Sequence, residues 1–238
     1  MSRFDTTRWS VVLQARGQDG DARAALESLC RTYRPPVLAY IRSRGYPNDA
    51  AEDLTQSFFA SFLERGHFAA ADPARGRFRA YLLTAIKHFL INADVRSLRA
   101  KRGGGIRFET LDDALEAAPA AGEDPERVFE QSWALAIIDA ALRRLRREAQ
   151  SAGKGELFDH LRDFLAEPPT EADYSRVAAA LQMRRNTVAV SVHRLRQRLR
   201  ELVREEVAQT AAGREAFEVE LRELRATLGD AARQEVPA

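Results

Sequence analysis

A regular apolar stripe in the last third of the sequence constrains the fold more than any other feature. Valine and leucine recur along residues 188–202 at spacings of four, three, four and three, which is the period of one helical face. Similar spacings recur along most of the 238 residues, and strand signals are almost absent. The sequence therefore predicts an all-α protein. The residues of this stripe are Val188, Val192, Leu195, Leu199 and Leu202.

Composition excludes several classes of protein. Cys30 is the only cysteine, so we expect neither an internal disulfide nor a cysteine-rich zinc site. The four histidines lack the spacing of paired ligands, and no glycine-rich phosphate loop is present, so we predict no metal, no cofactor and no enzyme activity. No apolar run approaches the roughly 20 residues of a membrane helix, and no secretory signal opens the chain. We therefore expect a cytoplasmic protein with no membrane partner.

Charge and turn-forming residues predict two helical domains joined by a linker. Residues 103–126 combine glycine, proline and alanine with seven acidic side chains, a composition typical of flexible linkers. Residues 215–228 form an amphipathic stretch, which we expect to pack on the second domain. The predicted divisions are an N-terminal segment at 1–21, a first helical domain at 22–102, the acidic linker at 103–126, a second helical domain at 127–206 and a C-terminal helical extension at 207–238.

Positive charge is concentrated on one short segment. Residues 184–200 hold six arginines, one histidine and no acid, although the formal charge of the whole chain is only +2. A short apolar-striped helix and a tight turn precede this segment, which is the arrangement of a helix-turn-helix motif. In that motif the first residues of the second helix touch base edges in the major groove, and later basic residues contact phosphates. A solvated arginine-rich helix face is the alternative. The candidate base contacts are Arg184, Arg185, Asn186, Thr187, Val190 and Ser191, and the candidate phosphate contacts are Arg194, Arg196, Arg198 and Arg200.

Two separate stretches resemble motifs of one known family. Residues 49–65, DAAEDLTQSFFASFLER, and residues 174–200 resemble bacterial RNA polymerase sigma factors of the extracytoplasmic-function group, and the resemblance covers roughly residues 22–206. It implies a protein that directs polymerase core to promoter DNA. The first stretch is similar to the family's region 2.2, whose helix binds a coiled coil of the largest polymerase subunit. The matching positions, which the resemblance assigns to polymerase binding, are Asp49, Glu52, Asp53, Gln56 and Phe59.

Residues 76–102 resemble regions 2.3 and 2.4 of the family, which melt DNA and hold the non-template strand of the minus-ten element. The residue types suit that role on general grounds, because basic grooves with aromatic stacking platforms hold single strands. Core packing of the rings is the alternative, favoured for Phe89 and left open for Tyr81. The candidate minus-ten contacts are Arg77, Arg79, Tyr81, Lys87 and His88.

Residues 174–200 resemble region 4.2, which reads the minus-thirty-five element, but the turn departs from the family pattern. Gln182 stands where the family has a glycine. Glutamine adopts positive φ less easily than glycine does. Arg184 replaces a hydroxyl residue that would cap the next helix. Asn186 is therefore the candidate cap, one register later, with the recognition helix at about 186–210 and its partner at 171–181.

Several alternatives remain open at the level of sequence. Family members of this group often have an anti-sigma protein, and Thr55, among the acids of the docking helix, is a candidate site for a kinase. The acidic linker either extends towards the polymerase active centre, as in the family, or only tethers two domains.

A stand-alone helix-turn-helix regulator that does not bind core is the alternative function. This alternative assigns no role to residues 49–102. A helical interaction scaffold without nucleic acid is a third reading.

Overall fold

The computed structural model describes residues 20–64, 77–102, 124–209, 211 and 213–234. Every regular element in these ranges is helical and they contain no strand, which confirms the predicted all-α class. The predicted acidic linker lies outside the described residues except for its last three, and so does the N-terminal segment except for its last two. The helices are α1 (Gly20–Ser43), α2 (Asn48–Glu64), α3 (Phe78–Arg102), α4 (Pro125–Ser151), α5 (Gly155–Leu161), a 3₁₀ turn (Arg162–Leu165), α6 (Glu171–Ala180), α7 (Arg185–Ala208) and α8 (Arg214–Gln234).

The chain divides into two compact units, and the second is inserted in the sequence of the first. The first unit combines Met1–Ala136 with Ala208–Ala238, and the second is Ile137–Val207. Helix α8 therefore belongs to the first unit, and the expectation that the C-terminal extension packs on the second domain is wrong. The reason lies in contacts of α8 with the first unit, since its apolar residues are buried there and its acids pair with Arg79 of α3 and with Arg77 just before α3. None of the described helices is long and apolar enough to cross a membrane.

The first unit has an aromatic core. In α2 the ring centroids of Phe58 and Phe62 lie 5.3 Å apart. The ring of Tyr33 in α1 packs edge-on against Phe78 of α3, with 5.0 Å between the ring centroids. Helix α1 runs without a break through Pro35 and Pro36, where the sequence favours a break or bend. A turn at Gly45, with φ of 86°, then leads to α2. These helices fix the positions of the α2 and α3 side chains.

Two apolar clusters hold the second unit together. One contains Leu161, Phe164, Val177, Val188 and Val192, and the other contains Ala141, Leu145, Phe158 and Leu202. The predicted stripe of α7 supplies residues to both clusters, since Val188, Val192 and Leu202 are buried while Leu195 and Leu199 pack against them. The sequence stripe therefore predicted the buried face of α7 correctly.

Helix α6 starts at a reciprocal capping box. The Thr170 hydroxyl accepts from the Asp173 amide at 3.3 Å, and the Asp173 carboxylate accepts from the Thr170 amide at 3.0 Å. The hydrogen bond from the Thr170 side chain, with help from Arg176, lowers the pKa of Asp173 to about 2. The box fixes where α6 begins, and so where the turn before α7 lies.

Candidate nucleic-acid interface and polymerase surface

The turn between α6 and α7 is built around a glutamine in a left-handed conformation. Gln182 has φ of 53° and is the one non-glycine residue with positive φ in the described ranges. The Met183 amide donates to the Ala178 carbonyl at 2.9 Å, which closes the turn. Glutamine thus adopts the conformation for which glycine is the usual residue.

Helix α7 begins one residue before the predicted cap. The Arg184 carbonyl already accepts from the Thr187 amide at 2.8 Å and from the Val188 amide at 3.2 Å. Asn186 therefore lies inside the first turn, and the prediction that it caps the helix is wrong. As a consequence, Asn186 and Thr187 are both exposed on the first turn of α7.

Replacing Gln182 with glycine is expected to stabilise the second unit by about 1 kcal/mol, because a side chain in the left-handed region costs 1–2 kcal/mol. Glycine also gains entropy in the unfolded chain, which offsets part of the gain. Urea unfolding measures the change. The matched control is Gln197→Gly, on an exposed interior turn of α7, which we expect to lose about 1 kcal/mol. A loss of stability in Gln182→Gly would contradict the turn geometry.

The first turns of α7 present a basic surface with no acid of its own. Arg184, Arg194 and Arg200 are exposed, and no ion pair within the described residues involves them. Arg185 pairs with Glu171 on α6, although both side chains stay largely exposed. The Ser191 hydroxyl donates to the Thr187 carbonyl at 2.8 Å, so its proton is already engaged.

Two of the predicted phosphate contacts on α7 instead hold the second unit together. Arg196 donates from Nε to the Phe164 carbonyl and from Nη2 to the Glu167 carbonyl, each at 2.9 Å. Arg198 forms a bidentate pair with Glu148, at 2.8 and 2.9 Å. These hydrogen bonds lower the pKa of Glu148 and raise the pKa of Arg198. As phosphate contacts, Arg196 and Arg198 were wrong predictions, because their donors bind groups within the unit.

The outer face of α2 carries three of the predicted polymerase contacts. Asp49, Asp53 and Gln56 are exposed. Glu52 is half-buried and pairs with two arginines of α1, Arg34 at 2.5 Å and Arg42 at 3.3 Å. Its carboxylate therefore already joins α2 to α1.

Two α2 residues lie in the interior instead of on the predicted surface. The Phe59 ring is buried and meets Phe58 edge-on at 5.3 Å, so it is a core residue and not a direct polymerase contact. Thr55 is fully buried, and its hydroxyl donates to the Ala51 carbonyl at 2.7 Å. A kinase has no access to that hydroxyl in this fold, so the prediction of a phosphorylation site at Thr55 is wrong.

Arg79 is the centre of a buried charge cluster in the first unit. Only 2% of the residue is exposed, and its guanidinium lies 4.1 Å above the ring of Trp133 on α4. It pairs with Glu220 of α8 at 3.0 Å and also with Glu130 and Glu223. The prediction that Arg79 contacts minus-ten DNA is therefore wrong, because carboxylates and an aromatic ring surround its guanidinium.

Two further basic side chains of the predicted minus-ten set also have intrachain partners. Arg77 pairs with Glu223 of α8, and Lys87 pairs with Glu126 at the start of α4. Unlike Arg79, both keep part of their side chain exposed, 34% for Arg77 and 28% for Lys87. Because they are partly exposed, Arg77 and Lys87 can exchange their carboxylate partners for other anions at the surface.

The remaining predicted minus-ten residues lie along α3. The half-buried ring of Tyr81 lies 6.0 Å from Phe62, and burial raises its pKa. Phe89 packs edge-on against Phe58 at 5.5 Å, in keeping with its predicted core role. His88 is exposed, so α3 presents an imidazole and part of a phenol ring at the surface.

Sequence reasoning missed Trp133, Glu220 and Glu223. A signal for Glu220 was present, since it falls on the same helical face as the buried Phe217, Leu221 and Leu224. A buried acid in an apolar stripe requires a cationic partner. That signal does not say which cation, and Arg79 is distant in sequence.

Burial raises the pKa of Glu220 above its ordinary value of 4.5, although Arg79 and Arg77 partly offset the effect. Burial raises the pKa of Glu130 in the same way. A carboxyl with a raised pKa binds its proton more tightly in the folded state, so stability falls as the pH rises from 4.5 through the folded pKa. We expect Glu220→Gln to make this fall smaller. Urea unfolding from about pH 5 to about pH 8 measures it, and an unchanged pH dependence would show that Glu220 does not titrate there.

No group of histidine, cysteine, aspartate or glutamate in the described ranges could hold a metal ion. Exposed guanidiniums on α7 suit DNA phosphates and base edges. The free carboxylates and carboxamide of α2 suit a protein partner.

Comparisons with known proteins found similarity to sigma factors. The family model described as Sigma-70 region 2 matches residues 29–102, which include α2 and α3. A relative, the ECF RNA polymerase sigma factor SigE of Mycolicibacterium smegmatis (strain ATCC 700084 / mc(2)155), is 27% identical over 209 residues. The alignment covers 87% of this chain and 72% of the relative. No solved structure matches the chain significantly. Residues 29–102 of the chain thus match Sigma-70 region 2, and most of the chain is similar to an extracytoplasmic-function sigma factor.

Proposed function

We propose that this protein binds RNA polymerase core through α2, reads minus-thirty-five DNA with the start of α7, and assists melting of the minus-ten element with α3. The match of residues 29–102 to Sigma-70 region 2 and the similarity to an extracytoplasmic-function sigma factor support promoter-specific initiation in general. The observation that carries the finer proposal is the acid-free, exposed start of α7, next to which Arg184 and Arg194 have no ion pair among the described residues.

The minus-thirty-five contacts that we propose are the exposed residues of that helix. Arginine and asparagine make bidentate contacts with guanine and adenine, and threonine contacts either base. Ser191 contributes less, since its hydroxyl proton is engaged. We retain Arg184, Arg185, Asn186, Thr187 and Arg194.

The polymerase contacts that we propose are Asp49, Asp53 and Gln56, which are exposed on α2. Asp53 and Gln56 are three residues apart, so they lie on one helical face. Glu52 supports this face by fixing α2 to α1. The partner that we propose for it is the coiled coil of the largest polymerase subunit.

The minus-ten contacts that we propose are Tyr81, Lys87 and His88 on α3 and Arg77 just before it. Tyr81 offers a ring on which an unpaired base can stack, while the other three offer positive charge or hydrogen-bond donors. Arg77 and Lys87 must first release their carboxylate partners.

Permanganate reactivity of unpaired thymines tests the melting step. With a promoter fragment selected from genomic DNA, we expect reactive thymines around minus ten only when core and this protein are both present. Tyr81→Ala is expected to reduce the reactivity while retaining core binding, because one stacking platform is lost. Reactive thymines in the absence of this protein, or no effect of Tyr81→Ala, would contradict the assigned role.

The stand-alone helix-turn-helix regulator is favoured by one observation, since the α7 surface is exposed in the isolated chain. It predicts sequence-specific duplex binding that core does not change. The requirement for core therefore distinguishes the two functions.

A further inference from the structure

Helix α8 places a carboxylate where the proposed function requires a DNA phosphate. Glu223 pairs with both Arg77 and Arg79, whereas Glu220, three residues earlier, pairs among the described residues with Arg79. Both glutamates therefore meet the basic start of α3. Of these two arginines, Arg77 is the one that the proposed minus-ten strand would need.

The two carboxylates of α8 differ in how firmly they are held. Glu220 is 3% exposed and faces Arg79, which is 2% exposed, so this pair is part of the core. In contrast, the side chains of Arg77 and Glu223 are 34% and 39% exposed. Exposed ion pairs are weak and screened by salt, so an incoming anion can displace Glu223 from Arg77.

The apolar face of α8 keeps this carboxylate in place. Phe217, Leu221 and Leu224 are buried in the first unit, and they set the position of Glu223 next to α3. The fold of the chain therefore holds the Glu223 carboxylate at a high effective concentration next to Arg77, and no second molecule is needed. A linked group competes at an effective concentration far above that of a free anion.

We propose that Glu223 is a built-in competitor that occupies Arg77 until the phosphate backbone of the single-stranded minus-ten element displaces it. This inference rests on the proposed function of α3. The pairs of Arg79 with Glu220 and Glu223 are the fixed part of the cluster, and the contact of Glu223 with Arg77 is the exchangeable part. Single-strand binding by the free protein is weakened accordingly.

Binding of a fluorescent single strand with the selected minus-ten sequence tests the proposal, using the full chain both free and in complex with core. Glu223→Gln keeps the size of the side chain and removes its charge. We expect it to bind up to about fivefold more tightly than the wild type at low salt, because an exposed ion pair no longer has to be broken. The difference should shrink as the salt concentration rises.

The matched control is Glu215→Gln, which removes the same charge from the exposed first turn of α8. It is expected to leave the affinity nearly unchanged. The double variant Glu223→Gln/Arg77→Gln should lose the gain, because the released guanidinium is no longer present. Equal affinities for the Glu223 and Glu215 variants would overturn the proposal, since only general charge would then matter.

Thermal unfolding of each variant shows whether the fold survives. If Glu223→Gln unfolds at a much lower temperature, Glu223→Asp replaces it, since it keeps the charge but withdraws the carboxylate by one methylene. It should bind the strand more tightly than the wild type, and the absence of a gain would overturn the proposal. No single-strand binding by any variant, even with core, would overturn the proposed role of α3 and this inference with it. Strand binding that is insensitive to Glu223 would overturn only the inference.

Discussion

Replacing Arg79 with methionine is expected to lower the free energy of unfolding of the first unit by about 3–5 kcal/mol. The substitution removes a guanidinium that is 2% exposed and leaves Glu220, at 3% exposure, without its closest cation. An unpaired buried charge is among the most costly defects that a single substitution creates. Urea unfolding, followed by circular dichroism, measures the loss.

Two variants separate this effect from a general loss of positive charge. Arg77→Met, at the exposed edge of the same cluster, is expected to cost about 1 kcal/mol or less. The double variant Arg79→Met/Glu220→Leu should recover much of the lost stability, because an apolar pair often replaces a buried ion pair at little cost. If Arg79→Met is as stable as the wild type but no longer binds the minus-ten strand, Arg79 is a DNA contact and the cluster has been misassigned.

Replacing Arg194 with alanine is expected to weaken binding to duplex minus-thirty-five DNA about tenfold, with little change in stability. Arg194 is exposed on α7 and has no ion pair among the described residues, so the fold does not depend on it. A lost phosphate contact weakens binding to all sequences alike. It also lowers the slope of log affinity against log salt by about 0.9. Titrations of labelled duplex at several salt concentrations measure both quantities.

Arg198→Ala is the matched control for Arg194→Ala, one turn further along the same helix. Its guanidinium binds Glu148, Glu201 and Glu205, so its loss is expected to reduce stability by about 1 kcal/mol. The salt slope of DNA binding should not change. The opposite pattern, with Arg198 governing the salt slope and Arg194 governing stability, would contradict the assignment of these two arginines.

Local patterns predicted the elements of this fold because helical periodicity is a property of short segments. The stripe on α7 identified its buried residues, and the turn before it was found from its position between two helices. Asp53 and Gln56, two of the predicted polymerase contacts, are exposed on α2. These results depend on neighbours within a few turns of helix.

Long-range partners account for what the sequence did not predict. Arg79 looks like other basic residues of α3, and one of the two acids that pair with it from α8, Glu223, lies 144 residues away. An amphipathic helix reveals which of its faces is buried but not which unit buries it, so α8 was expected on the wrong domain. The burial of Phe59 likewise depends on partners that the sequence pattern does not reveal. Three phenylalanines crowd one end of α2, and only the packing of the neighbouring helices decides which rings are covered.

Transcription by purified, sigma-free polymerase core on a pool of genomic fragments tests the central claim most directly. We expect discrete transcripts only when this protein is added. They should vanish with Asp53→Ala/Gln56→Ala and persist with Glu64→Ala, an exposed control on the same helix. Loss of core binding by the double variant would locate the effect on α2. No transcripts and no binding to core, with intact sequence-specific binding to duplex DNA, would contradict the account and favour a stand-alone regulator.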